Sequence, residues 1–381
     1  MNSGFNNSHT LRYLFDAIRS FDDDEVPNAV NQLSQNSALL ALFESQKQSN
    51  EIDLSTLNNI SSVRDFQLWM KSLLSPILDA SVSAIEVEGL DELDSNDSHI
   101  FISNHRDIIM DPLLINLSLL NAGFDSAHCA IGDNLLNSEA SRLLAGLNNC
   151  FKVVRSLSSP KAMLRAMKLQ SEYIRYLHFQ QKKQIWIAQK EGRSKDNKDI
   201  TNPALIKMLS LAKGSDIAPN DYLATLNIVP VSISYEWDPC DIDKATQLTQ
   251  ESNNTAYLKS ANDDIQAIQK GLFGSKGKIH VSYGQVIKPL DTTVLNRYEV
   301  ANRVDTFIHS NYRCFESNVA AYQLLEKDTI DLELLKEKLD AQQLTDARQT
   351  LQLRLEGLEP DIRQRALEAY AAPLLAKYGT K

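Results

Sequence analysis

Between Ser83 and about Leu290 short apolar runs alternate with segments whose apolar residues recur at helical spacing. The runs are Ala84–Val87, Ile100–Ser103, Ala127–Ile131, Phe151–Val154, Ile185–Ala188, Ile228–Ser234 and Ile279–Tyr283, and each has the length and composition of a buried strand. The helical patterns between them include one that opens at Ser159-Pro160, a cap followed by proline, and carries Met163, Met167, Ile174 and Leu177 on one face. Strands alternating with helices predict an α/β fold: a mixed, largely parallel sheet flanked by helices. Pro230 lies inside one run and predicts an edge or bulge position for that strand.

Helical patterns flank this region on both sides. In residues 1–82, Leu11, Leu14, Ile18 and Phe21 recur at helical spacing, as do Leu39, Leu40 and Phe43. A denser amphipathic segment runs from Phe66 to Leu78, with Pro76 expected as a kink. Its stripe fits either a helix packed on the sheet or a surface that meets lipid. Residues 291–381 are helical again, dense in Glu and Lys from Glu326 to Lys338, with a last segment opening at Pro360. The organisation expected is a helical region 1–82, an α/β domain 83–290 and a helical region 291–381. Loops Asp91–Ser98 and Lys195–Asn202 read as the most disordered.

One stretch concentrates polar chemistry against this background. From His99 to Asn116 an apolar run around Phe101 ends in Ser103, Asn104 and His105, and Asp111-Pro112 reads as an N-cap with proline at the first helical position. A strand, a polar elbow and a helix is where open α/β sheets place their sites. A neutral imidazole can take a hydroxyl proton if a carboxylate holds its tautomer, and Asp107 and Asp111 are both in reach of His105. His105-Arg106-Asp107 is not a kinase catalytic loop: Pro112 stands where that loop needs Asn, and neither Asp-Phe-Gly nor a Gly-rich loop accompanies it.

Composition narrows the partners. The 381 residues, 43% hydrophobic and 23% charged, are those of a folded protein with a sizeable core. Net charge is −10, so bulk charge gives a nucleic-acid role no support. Cys129, Cys150, Cys240 and Cys314 lie far apart with no C-x-x-C pair, so neither zinc nor a redox dithiol is indicated. Scattered cysteines and a polar, Asn-rich Met1–Thr10 point to the cytoplasm. No apolar stretch reaches the roughly 18 residues of a membrane span, so membrane contact is expected to be peripheral.

Two further segments suit an anion. Gln189 to Asp196 follows an apolar run and sets Glu191, Gly192, Arg193 and Ser194 in a turn, and a guanidinium matches phosphate in a bidentate way. Phe151-Lys152-Val153-Val154-Arg155 adds two cations beside another strand. Taken in order, Asn104-His105 through Asp111, Phe151 through Arg155, Glu191 through Ser194 and the apolar Val229-Pro230 resemble the four blocks of the glycerolipid acyltransferases. These are the 1-acylglycerol-3-phosphate and glycerol-3-phosphate acyltransferases. The resemblance covers about residues 83–290. It also resembles a bacterial subgroup with Asn-His-Arg-Asp-Ile and Glu-Gly-Arg-Ser-Lys-Asp blocks, usually labelled 1-acylglycerol-3-phosphate acyltransferases.

That resemblance implies a glycerol-phosphate acyltransferase-like fold. It implies transfer of a fatty acyl group from acyl-CoA or acyl-carrier protein to a glycerol-phosphate hydroxyl, with no separate cofactor and no metal. It makes His105 the base, and Asn104, Arg106, Arg155, Glu191, Gly192, Arg193 and Ser194 substrate-binding residues. The family's orienting Asp lies five residues after its His; Met110 stands there and Asp111 comes one later, so Asp111, followed by an apolar helix, is favoured over Asp107. The second block is also one residue longer than the family's, and the third lacks the family's Thr between Gly192 and Arg193. The protein is expected in the cytoplasm or peripheral on the inner membrane. A hydrolase using the same His–Asp pair and a non-catalytic lipid- or partner-binding protein are the competing readings.

Overall fold

In this computed structural model seven strands form one sheet. They are β1 (Val82–Glu88), β2 (Ile100–Ser103), β3 (His128–Gly132), β4 (Cys150–Val153), β5 (Ile185–Ala188), β6 (Ile228–Tyr235) and β7 (Gly277–Tyr283), in the order β1-β7-β6-β2-β5-β3-β4. The structure describes residues 13–36, 54–155, 157–253, 263–290, 294–332, 335 and 339–379. All pairings are parallel except β6 with β7. The sheet is therefore mixed and largely parallel, as the alternation predicts.

The central strands are apolar without interruption because both their faces are covered. On one face Ile100, Ile102, Ile185, Ile187 and Ile228 share a core with Ile174, Ile206, Leu209, Val300, Val304 and Ile308. Phe101, Trp186, Val229, Val231 and Ile233 point the other way, into a core with Met110, Leu114, Ile115, Leu119 and Leu78. Edge strand β1 is exposed along most of its length and carries Glu86 and Glu88, charges that blunt an open edge.

The helices that matter to the site can be numbered along the chain. They are α1 (Val26–Ser34), α2 (Val63–Ser81), α3 (Met110–Asn121), α4 (Glu139–Leu147), α5 (Pro160–Arg175), α6 (Pro203–Leu209), α7 (Pro219–Ala224), α8 (Asp241–Ser252), α9 (Asp263–Phe273) and α10 (Arg297–Ser310). After them come α11 (Glu316–Leu324), α12 (Ala341–Arg354) and α13 (Pro360–Tyr378). The Ser159 hydroxyl caps α5 by accepting from Ala162 N, as its Ser-Pro signature predicts. α2 runs through Pro76 as one helix, and its stripe packs inward: Phe66 is buried with α1 and α4, and Leu78 against the sheet. The C-terminal helices α11 to α13 form a core of their own that includes Ala245 of α8.

Several expectations are corrected. Pro230 is in an interior strand, between β2 and β7. Its carbonyl accepts from Gly284 N just beyond the end of β7, and the side of a residue that bears C=O also bears the nitrogen. The missing donor therefore faces a place where the neighbouring strand has already ended. Helical structure at Leu14 and Phe15 stops before Ile18, so Phe21 is not part of that helix. The repeat at Leu39, Leu40 and Phe43 lies outside the described residues. Lys195–Asn202 is a built loop: Asp199 and Thr201 are buried, and Asn202 N donates to Gln189 O to close its base.

Candidate active site

The elbow after β2 brings four groups onto one carboxylate. Asp111 is fully buried, and its Oδ2 accepts from His105 Nδ1 (2.8 Å), Arg106 N (2.6 Å) and Asp107 N (3.0 Å). Its Oδ1 accepts from the Tyr235 hydroxyl at 2.6 Å. A carboxylate only accepts, so Nδ1 of His105 carries its proton and Nε2 is left basic. Trp186 meets the imidazole edge-on, 5.8 Å between centroids.

Asp111 is not the helix cap that its position before proline suggests. α3 starts at Met110, which makes Asp111 its second residue, and the cap is built by Asp107, whose Oδ1 accepts from Ile109 N and Met110 N. Pro112, third in the helix, lacks only a donor that a first turn leaves unbonded in any case. Asp107 is thereby turned from His105 toward α9, where a Cβ on Gly271 would collide with its carboxyl. Burial, with the Asp111 charge second, raises the Asp107 pKa above the ordinary carboxylate value.

His105 opens onto a cleft of about 410 Å³ at the carboxyl ends of β2, β5, β3 and β4. Strands β3 and β5 pair only at His128/Ile185 and Cys129/Trp186, then part, and both Ala130–Gly132 and Ile187–Ala188 line the space between them. Met163 and Met167 of α5 and Leu205 and Met208 of α6 close its apolar side. Arg155, Lys190, Glu191 and Gly192 stand at its polar side, with Arg155 Nε 3.7 Å from Glu191. Gly192 has φ +76°, a left-handed turn that glycine adopts without strain. Two residues on, Ser194 N donates to His105 O at 2.7 Å and ties this turn to the elbow.

Not every expected residue faces the cleft. Asn104 is buried and clamps β6, donating to Ile233 O and accepting from Ile233 N. Arg106, expected to contact substrate, is instead buried on the far side of the elbow, where its Nη2 meets Asp199 at 2.6 Å and its guanidinium lies over Tyr312. Arg193 lies toward Asp238 and helps hold that carboxyl low, behind the larger effect of Lys244. Ser194 is buried, so its place here is that of a backbone tether. Tyr235, Trp186, Asp199 and Lys244, which donates to Arg106 O at 2.7 Å, are parts of the site not recognised from the sequence. Tyr235 continues the face set by Val229, Val231 and Ile233, but its approach to Asp111 needs the β2–β6 adjacency, which no local pattern carries.

Residues 84–234 match the protein-family model described as Acyltransferase. No curated protein matches the chain. Among solved structures, the 1-acyl-sn-glycerophosphate (LPA) acyltransferase PlsC from Thermotoga maritima is similar, at 14% sequence identity and a TM-score of 0.36, over 74% of this chain and 91% of that one. The α/β core is an acyltransferase domain. The match falls on the region whose four sequence blocks resemble the glycerolipid acyltransferases. No helix among the described residues is long and apolar enough to cross a membrane.

Proposed function

We propose that the protein transfers a fatty acyl group from a thioester, acyl-CoA or acyl-carrier protein, to the free hydroxyl of 1-acylglycerol 3-phosphate. The observation that carries this reading is the His105–Asp111 pair at the rim of an apolar cleft whose other rim bears Arg155. His105 Nε2 takes the acceptor's hydroxyl proton as that oxygen attacks the thioester carbonyl, and the imidazolium then gives the proton to the departing thiolate. Asp111 orients the ring and stabilises its positive charge. The acceptor is itself the nucleophile, so no acyl-enzyme is needed. Arg155 holds the acceptor phosphate, Glu191 and Gly192 shape the glycerol site, and the acyl chain lies in the gap between β3 and β5. Alignment of the two substrates supplies much of the acceleration.

The test is thiol release from palmitoyl-CoA by the purified protein with 1-acylglycerol 3-phosphate, with glycerol 3-phosphate, or with no acceptor. Release that requires 1-acylglycerol 3-phosphate and falls roughly 10²–10⁴-fold in His105→Ala is the expected outcome. Equal release without an acceptor would make the protein a thioesterase, and preference for glycerol 3-phosphate would replace the acceptor named here.

A further inference from the structure

Acidic overall, the chain carries one strongly basic segment. From residue 152 to 183 there are eight Lys and Arg and one acidic residue, Glu172. Most of this segment is α5 with its flanks. Met163 and Met167 on the inner side of α5 wall the cleft, while Lys161, Arg165, Lys168 and Arg175 are exposed on the outer side. Leu164, 57% exposed, stands among these cations, and Leu157, 45% exposed, precedes the helix. Lys168 is 3.9 Å from Glu172, and among the described residues no carboxylate pairs with Lys161, Arg165 or Arg175.

We propose that the outer face of α5 docks the protein on an anionic lipid bilayer, with Leu157 and Leu164 entering the headgroup layer. The proposal rests on the acyl-transfer reading only in what the bilayer supplies, a lipid acceptor. Cations with no carboxylate partner among the described residues suit a surface of opposite charge, and each lysine or arginine near such a surface adds attraction that salt weakens. Leucines set between cations give the second, apolar contact that stable peripheral binding needs. The inner face of the same helix walls the cleft, so docking here sets lipid and cleft about one helix diameter apart, roughly 10 Å. A carrier protein with an acidic surface is the competing partner. The bilayer is favoured because the exposed apolar groups are two separate leucine tips rather than a groove or continuous patch.

The experiment is co-sedimentation of the full chain with vesicles of phosphatidylcholine alone or with about one-third phosphatidylglycerol, for wild type, Lys161→Glu/Arg165→Glu/Lys168→Glu and Leu164→Asp. A control reverses Arg348 and Arg363 on the C-terminal helices. Binding only to the anionic vesicles, at least tenfold weaker in the triple variant and in Leu164→Asp but not in the control, is expected. Absence of wild-type binding, binding by the triple variant equal to wild type, or an equal loss in the control and triple variants overturns the proposal. Thiol release is measured in parallel on acceptor dispersed in neutral detergent. If the triple variant keeps that activity with acyl-CoA but loses it with an acyl-carrier donor, while still binding vesicles, the face belongs to the carrier protein and the proposal fails. His105→Ala must bind vesicles as wild type does, which separates docking from the acyl-transfer reading.

Discussion

Asp111→Asn isolates the charge of the buried carboxylate from its hydrogen bonds. Three donors converge on Oδ2 and the Tyr235 hydroxyl meets Oδ1. An asparagine can set its amide oxygen on the three donors and direct its NH₂ to the tyrosine oxygen, since a hydroxyl also accepts. The His105 tautomer and the elbow are then kept, and the negative charge is lost. With the imidazolium and carboxylate centres about 4 Å apart and an effective dielectric of about 20, the lost attraction is about 4 kcal/mol. Part of this is shared by the ground state, so the expected fall in kcat is roughly 10²–10³-fold. The assay is thiol release from palmitoyl-CoA with acceptor saturating, beside thermal unfolding. Asp107→Asn is the comparison, because that group caps α3. It should keep activity within threefold and raise stability at neutral pH. Its folded pKa lies above the ordinary carboxylate value, so the native state holds the proton longer and loses relative stability as pH rises above that value. Wild-type activity in Asp111→Asn, or an equal loss in Asp107→Asn, would refute the assignment of Asp111 as orienting residue.

Arg106→Gln should cost about 3–5 kcal/mol by stranding Asp199 in the core, lowering the melting temperature rather than raising KM; a KM effect at unchanged stability would return Arg106 to the substrate. His128 is buried, with a pKa pushed down to about 3 by that burial, so the unfolded chain protonates first and stability falls as pH drops from about 6.5 toward 3. Urea unfolding of His128→Gln should lose up to about 1.4 kcal/mol per pH unit of that slope, and an unchanged slope would contradict it. Gly192→Ala meets open space but strains a left-handed turn by about 1–2 kcal/mol, so acceptor KM should rise more than kcat falls.

Much of the fold is legible because local signals and tertiary burial agree. Ile185–Ala188 and the helix opening at Pro160 are found where their apolar runs and caps place them, and so is the reach from Asp111 to His105. What is not legible depends on which strands become neighbours. Pro230 reads as an edge residue until the early end of β7 is known. Arg106 reads as a ligand for substrate until Asp199, 93 residues on, is seen to face it. The Lys195–Asn202 loop has the composition of a solvated segment, yet Asp199 and Thr201 are anchored by Tyr312, His309 and Asp305, supplied from α10 and just beyond it. Charge in a loop predicts exposure only when no distant partner is waiting for it.

The parting of β3 from β5 has a consequence for how the cleft and the scaffold share stability. The space is opened within the plane of the sheet, so its occupant touches residues of both core layers: Ile187 belongs to one and Trp186 to the other. On the proposed reading, an aliphatic chain lying there would substitute for side-chain packing that two fully paired strands would otherwise provide. Substrate occupancy and cohesion of the β3–β4 flank are then thermodynamically linked. A substitution that closes the seam by tighter strand pairing would strengthen the empty protein at the direct expense of the room its ligand occupies.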